Sequence, residues 1–207
     1  MMRALVLGST LALGGCISLL PEPPPPPRIF VLEAGQVERL SGAPVDAVVS
    51  VALPAGERAI LGPDLIWRTG DELAFVAQTQ WSNRANEALQ SMLVETMARQ
   101  GRFQAAVRSG EARSDYEVRW EVLDFEVSET NMTARFTADV KLVASPGRRV
   151  LASEIITTEA PVSDRSSSVA AQALARAARE GGARIGSFAA DAAAEAEAQA
   201  SAASISR

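Results

Sequence analysis

The sequence predicts an α+β fold: a single domain in which a largely antiparallel β-sheet is covered by two main helices, carried behind a lipoprotein signal peptide and a proline-rich linker. Three observations predict it. Residues 116–160 alternate apolar and polar side chains with a period of two, as half-buried strands do. Residues 84–100, and the stretch from Asp164 onward, repeat apolar side chains at helical spacing. The chain opens on a short apolar run that stops at Cys16 and meets a run of prolines. The predicted division is therefore a signal peptide over 1–15, the modified cysteine and linker over 16–27, the α+β domain over 28–190, and an alanine-rich tail over 191–207 that is expected to fray.

At the start, Met1 to Arg3 give a small positive end, and Ala4 to Leu13 an apolar core of about ten residues. That core is too short for a bilayer, which takes about 20 apolar residues. Leu13-Gly14-Gly15-Cys16 reads as a lipobox, in which the small Gly14 and Gly15 admit a signal peptidase and cleavage falls before Cys16. The thiol of Cys16 then forms a thioether to diacylglycerol, and the freed amine takes a further acyl chain. Each buried methylene contributes about 0.8 kcal/mol, so one chain holds a protein marginally and two or more hold it stably. An ordinary secretory signal, or a buried N-terminal helix, is the bland alternative. Against it, the only cysteine of the chain falls where the lipobox needs one.

Pro21-Glu22-Pro23-Pro24-Pro25-Pro26-Pro27 favours polyproline II at about 3.1 Å per residue, a stiff spacer of roughly 20 Å. Arg28 to Leu32 follows as a first short strand. Ala47 to Leu53 is apolar, β-branched and bounded by Pro44 and Pro54, which reads as a buried central strand. Leu65 to Arg68 and Leu73 to Gln78 flank Thr69-Gly70-Asp71-Glu72 as a hairpin. Alternation puts Trp67 on one face of the first strand and Phe75 on one face of the second. If those faces coincide, Trp67 and Phe75 form an aromatic patch with Trp81 just beyond it, and the three serve either as core packing or as a partner or lipid contact.

Ser82 or Asn83 is placed to cap a helix from about Arg84 to Gln100, with Ala85, Leu89, Met92, Leu93, Thr96 and Met97 inward and Gly101 as its stop. Phe103 to Val107 reads as a short strand. Three long strands follow in a meander. The first changes apolar parity between Trp120 and Phe125, which calls for a β-bulge near Val122 to Asp124. The second has one face of Met132, Ala134, Phe136, Ala138, Val140 and Leu142, and the third runs from Arg149 to Ala160. A last helix turns Val169, Ala173, Leu174 and Ala177 inward, and Gly181-Gly182 is expected to interrupt it.

The composition excludes much. The chain has no histidine, so imidazole-based triads and zinc sites cannot be built. Neither G-x-x-x-x-G-K-[ST] nor G-x-G-x-x-G occurs, and no metal or small-molecule cofactor is expected beyond the covalent diacylglycerol and N-acyl chain on Cys16. Formal charge is −5, and −6 once Arg3 leaves with the leader, which argues against nucleic acid. Lys141 is the single lysine, a pattern that GC-rich coding explains.

Taken together, the lipobox, the proline linker, Phe30-Val31-Leu32, Asp64-Leu65-Ile66-Trp67-Arg68 with Glu72-Leu73-Ala74-Phe75, Trp81, Gly101-Arg102-Phe103, Asp115-Tyr116, Phe125 and Pro161-Val162 resemble the ABC-type transport auxiliary lipoproteins. The resemblance runs from Cys16 to about Phe188. It implies a non-enzymatic component of a lipid transport system of the Mla or Pqi kind, whose partners are an Mce-domain protein and an ABC permease and ATPase, with a homo-oligomer as a further option. A generic envelope scaffold, binding peptidoglycan or another protein, and a periplasmic lipid carrier are the rival readings. Ile17 stands where an aspartate would retain a lipoprotein in the inner membrane, so the expected location is the periplasmic face of the outer membrane.

Overall fold

A computed structural model describes residues 25–145 and 147–205. The lipobox residues Leu13, Gly14, Gly15 and Cys16, and most of the proline tract, lie outside the described residues. Within them the chain forms β1 (Arg28–Phe30), β2 (Val45–Val51), β3 (Ala55–Gly56), β4 (Asp64–Thr69), β5 (Glu72–Trp81), α1 (Ala85–Gln100), β6 (Phe103–Arg108), β7 (Tyr116–Ser128), β8 (Thr133–Ala144), β9 (Val150–Pro161) and α2 (Ser167–Ile205). This is the expected α+β domain with one sheet and two helices.

The sheet is built around β7. One of its edges pairs antiparallel with β8 from Tyr116↔Ala144 to Ser128↔Thr133, and β8 pairs antiparallel with β9. The register slips between Val122 and Asp124, the bulge that the change of parity predicts. The other edge of β7 is shared out: Tyr116–Val118 meets β2, Glu121–Val122 meets β3, and Val127–Ser128 meets β4, all parallel. Beyond them β6 adds parallel to β2, and β5 and β1 extend the sheet past β4. The meander and the β4–β5 hairpin are antiparallel, while every short strand grafted onto them is parallel; side-chain alternation reports which face is buried and carries no direction.

Both helices cover one face. The inward stripe of α1 is as expected, with Leu89, Met92, Leu93 and Met97 at 1 % exposure or less. Gly101 ends α1 in the left-handed region at φ 69°, and its N–H donates to Met97 O. The start differs from expectation: Arg84 is the N-cap residue and no side chain caps the helix. Instead the Ala85 N–H donates to Gly62 O, at 2.9 Å, so the preceding loop takes the place of Ser82 or Asn83.

α2 departs most from the sequence reading. It runs unbroken for 39 residues, straight through Gly181-Gly182. At 1.5 Å per residue it is about 58 Å long, against roughly 43 Å for a 13-residue strand such as β7. Residues 191–205 continue as helix, and beyond Glu197 those whose exposure is described are exposed. Its glycines are sites of close approach. A Cβ on Gly181 would stand 2.5 Å from Phe136 Cε1 and closer still to Cδ1, one on Gly182 would stand 3.0 Å from Met92 Cε, and one on Gly186 would overlap the Gln100 amide. Alanines 170, 173, 177, 178, 189, 190 and 193 are fully buried on the same helix. The helix thus sits low on the sheet and against α1, and packing outweighs the propensity cost of glycine.

Two stability measurements check this packing. Leu93→Ala should cost about 2–5 kcal/mol in denaturant unfolding; an unchanged midpoint would show that the α1 stripe does not face the core. Gly181→Ala should lower the melting temperature although alanine is favoured in a helix by about 1 kcal/mol. A rise in melting temperature would mean that α2 does not lie against Phe136.

Candidate functional site

The structure separates the three aromatic candidates. Trp81 is 3 % exposed and stacks on Phe125 with ring centroids 5.6 Å apart, and Phe125 meets Phe136 edge-on at 6.3 Å. Trp67 is half-buried against the core, and Phe75 is 61 % exposed. The reason lies in the register: Phe75 faces Ile66 and Trp67 faces Ala74, so Trp67 and Phe75 leave opposite faces of the hairpin. Further along, Gln80 faces Asp64, so five residues of β5 are matched to two of β4 and Gln78 takes φ 53°. That irregularity turns Trp81 to the face opposite Phe75, although a regular strand would place both together. One surface patch of Trp67, Phe75 and Trp81 does not form.

Two open grooves run beside α2. The larger, about 640 Å³, lies between residues 34–40, the end of α1 and the middle of α2. Val37, Leu40, Ala183 and Phe188 give it apolar walls, and Glu38, Glu154, Arg179, Glu180, Arg184 and Asp191 give it charge of both signs. The smaller, about 300 Å³, lies between β1 and α2 and is lined by Phe30, Val31, Trp81, Ala171, Gln172, Ala175, Arg176 and Arg179. Arg179 borders both, its Nε donating to Glu33 O at 2.8 Å. Phe30 and Ala175 are far apart in the chain, so no local pattern could have disclosed the smaller groove.

The face of the sheet away from the helices is polar and laced with ions. Glu126 is 4 % exposed and pairs with Arg68, which is held above its ordinary pKa by that hydrogen bond. Its second oxygen, Oε2, is buried without a hydrogen-bond partner. Nearby, Arg135 Nε donates to Glu159 at 2.8 Å across β8 and β9. At the far end of β7, burial pushes the Tyr116 hydroxyl up, helped by Glu197. Burial would raise the Glu117 carboxyl too, but hydrogen bonds from Ser109 and Arg119 outweigh it and hold that group below its usual range. Among the described residues, no group of three or more His, Cys, Asp and Glu side chains is placed to hold a metal ion. No helix among them is long and apolar enough to cross a membrane.

The family model of the ABC-type transport auxiliary lipoprotein component matches residues 30–186. Among solved structures, a DUF330 protein from Xanthomonas campestris is similar with a TM-score of 0.76 at 24 % identity, over 83 % of this chain and 99 % of that one. An uncharacterized protein is similar with a TM-score of 0.64 at 12 % identity, over 79 % and 99 % of the two chains. These likenesses speak to the fold. No curated protein matches the chain.

The buried ion pair gives a test of the polar face. Arg68→Met should destabilise by about 1–3 kcal/mol, because Glu126 is left buried without its counter-charge. Adding Glu126→Gln should recover part of that loss. Equal stability of wild type and Arg68→Met in urea would show that the carboxylate is solvated.

Proposed function

The chain belongs to the ABC-type transport auxiliary lipoprotein component family, and on that premise we propose that it is a non-enzymatic component of an Mce-domain lipid transport system, anchored by acyl chains on Cys16 to the periplasmic face of the outer membrane. The match over residues 30–186 carries the reading, because it spans the domain from the end of β1 to about the middle of α2. The location is supported by the lipobox ending at Cys16 and by Ile17 beyond it. Two or more acyl chains give lasting attachment, where one would exchange.

In this reading the domain docks an Mce-domain protein that belongs with an ABC permease and ATPase. The space between sheet and helices is filled by Phe136, Leu89, Met92, Leu93, Leu174 and Ile185, all at 1 % exposure or less. A filled core favours docking over enclosed carriage of acyl chains. Phe75, at 61 % exposure, is the contact we propose on the β4–β5 hairpin, and the half-buried Trp67 backs it by packing the opposite face against the core. Trp81, buried in its stack, serves the partner only by holding that hairpin to the core. An exposed aromatic ring offers a large contact area for little conformational entropy, which suits it to anchor an interface.

Cys16→Ser tests the anchoring. The variant should fold, remain unlipidated, disappear from the outer-membrane fraction and fail to restore lipid transport in a strain lacking the gene. Wild-type protein found chiefly in the inner-membrane fraction would overturn the location, and full transport by Cys16→Ser would make anchoring dispensable.

A further inference from the structure

The smaller groove joins an apolar floor to cations without acids, whereas the larger one sets its apolar walls among charges of both signs. Ala171 and Ala175 stand one helical turn apart on α2, and their small side chains leave open the space that Phe30 and Trp81 border. Arg176 and Arg179 line the same groove, and the Arg28 guanidinium lies 5.8 Å from the centre of the Phe30 ring. Each of the three is steadied by a neutral acceptor. Arg176 Nη2 donates to Pro161 O at 3.1 Å, Arg179 Nε to Glu33 O at 2.8 Å, and Arg28 Nη1 to Ser167 Oγ at 3.5 Å. Among the described residues none of them forms an ion pair, so most of their donors remain available. Planar guanidinium groups match phosphate oxygens two at a time.

Position favours a membrane source for that anion. The twelve residues 16–27 reach at most about 43 Å when extended, so β1 stays within that distance of the modified cysteine. Ile29 of β1 and Val31 just beyond its end flank Phe30 and are 55 % and 57 % exposed, which gives this segment an apolar side turned to its surroundings. We propose that this groove seats one anionic phospholipid of the bilayer that holds the anchor. Its phosphate lies against Arg176 and Arg179, with Arg28 beside Phe30 adding positive charge at the edge of the groove, and the start of an acyl chain lies against Phe30, Trp81, Ala171 and Ala175. The inference rests on the anchoring proposed above.

The test uses the mature chain from residue 16 carrying Cys16→Ser, mixed with phosphatidylcholine vesicles, with vesicles that also contain phosphatidylglycerol, and separately with inorganic phosphate. Binding should require phosphatidylglycerol and weaken with salt. Near an anionic surface each arginine is worth roughly fivefold in affinity, so Arg176→Gln with Arg179→Gln should cost about 25-fold. Arg28→Gln, on an exposed residue, should cost roughly fivefold with no change in melting temperature. Val31→Asp should cost about tenfold or more. Equal binding to both vesicles, undiminished binding by Arg28→Gln and Val31→Asp, or saturation by inorganic phosphate without vesicle binding would overturn the proposal. The acyl anchor is absent from every arm, so failure here leaves the outcome of the fractionation experiment untouched, and the reverse holds as well.

Discussion

The closeness of α2 to the sheet is the constraint on which the rest of the structure depends. A helix that presents glycine and alanine over several turns brings its backbone against its neighbours, and here those neighbours are Phe136, Met92 and Gln100. Because the helix sits low, Thr158 Oγ1 reaches the Ala177 carbonyl at 2.7 Å, and Gln100 Nε2 reaches the Ala183 carbonyl at 2.8 Å. Both bonds are made by polar side chains that are almost wholly buried, and each leaves its donor satisfied. α1 is then set by α2 as much as by the sheet. The aromatic row Trp81, Phe125, Phe136 and Trp120 fills what the small residues leave, with successive ring centroids 5.6, 6.3 and 6.4 Å apart.

Sequence periodicity was legible wherever one face is buried and one is wet. The strand β8 pairs along the register its alternation implies, and the bulge of β7 falls at the residues where apolar parity changes. The stripe of α1 was equally plain. What escaped was whatever depends on distant parts of the chain. Gly181-Gly182 looks like a break from propensity alone, since nothing nearby in sequence announces that Phe136 will occupy the place of a side chain. The N-terminus of α1 escapes the sequence for a related reason: a backbone carbonyl, Gly62 O, takes an orphan N–H that local sequence assigns to a capping side chain. Parallel pairing of β2 with β6 and β7 is set by connections that alternation does not encode.

The candidate contacts were less legible than the fold. The residues of the hairpin read as strands, but the returning strand is expected to end at Gln78 with Trp81 just beyond it, whereas β5 runs on to Trp81 and changes phase on the way. The two grooves join residues of β1 and its following segment to α2, elements at opposite ends of the domain. The single feature of Arg176 and Arg179 visible in the sequence is their spacing of three on a helix, which makes neighbours of like charge and by itself implies only a solvated face. Their meaning comes from Phe30, which the fold brings beside them.

The irregularity of β5 ties structure to the proposed docking. A non-glycine residue at φ 53°, as Gln78 is, carries a backbone cost of about 1–3 kcal/mol. A regular strand would avoid it, but would then put either Trp81 in solvent or Phe75 in the core. The observed strand reverses phase between them. Its C-terminal end, from Thr79, pairs with β1 and turns Trp81 onto Phe125, while its N-terminal half keeps Phe75 exposed above the pair made by Ile66. Stacking of the buried indole and the pairing of three β1 residues offset the strained backbone, and together they fasten the segment that leads to the linker. One ten-residue strand thus holds the linker end of the domain to the core and presents an exposed aromatic ring on its other face, two tasks that unbroken alternation would set against each other.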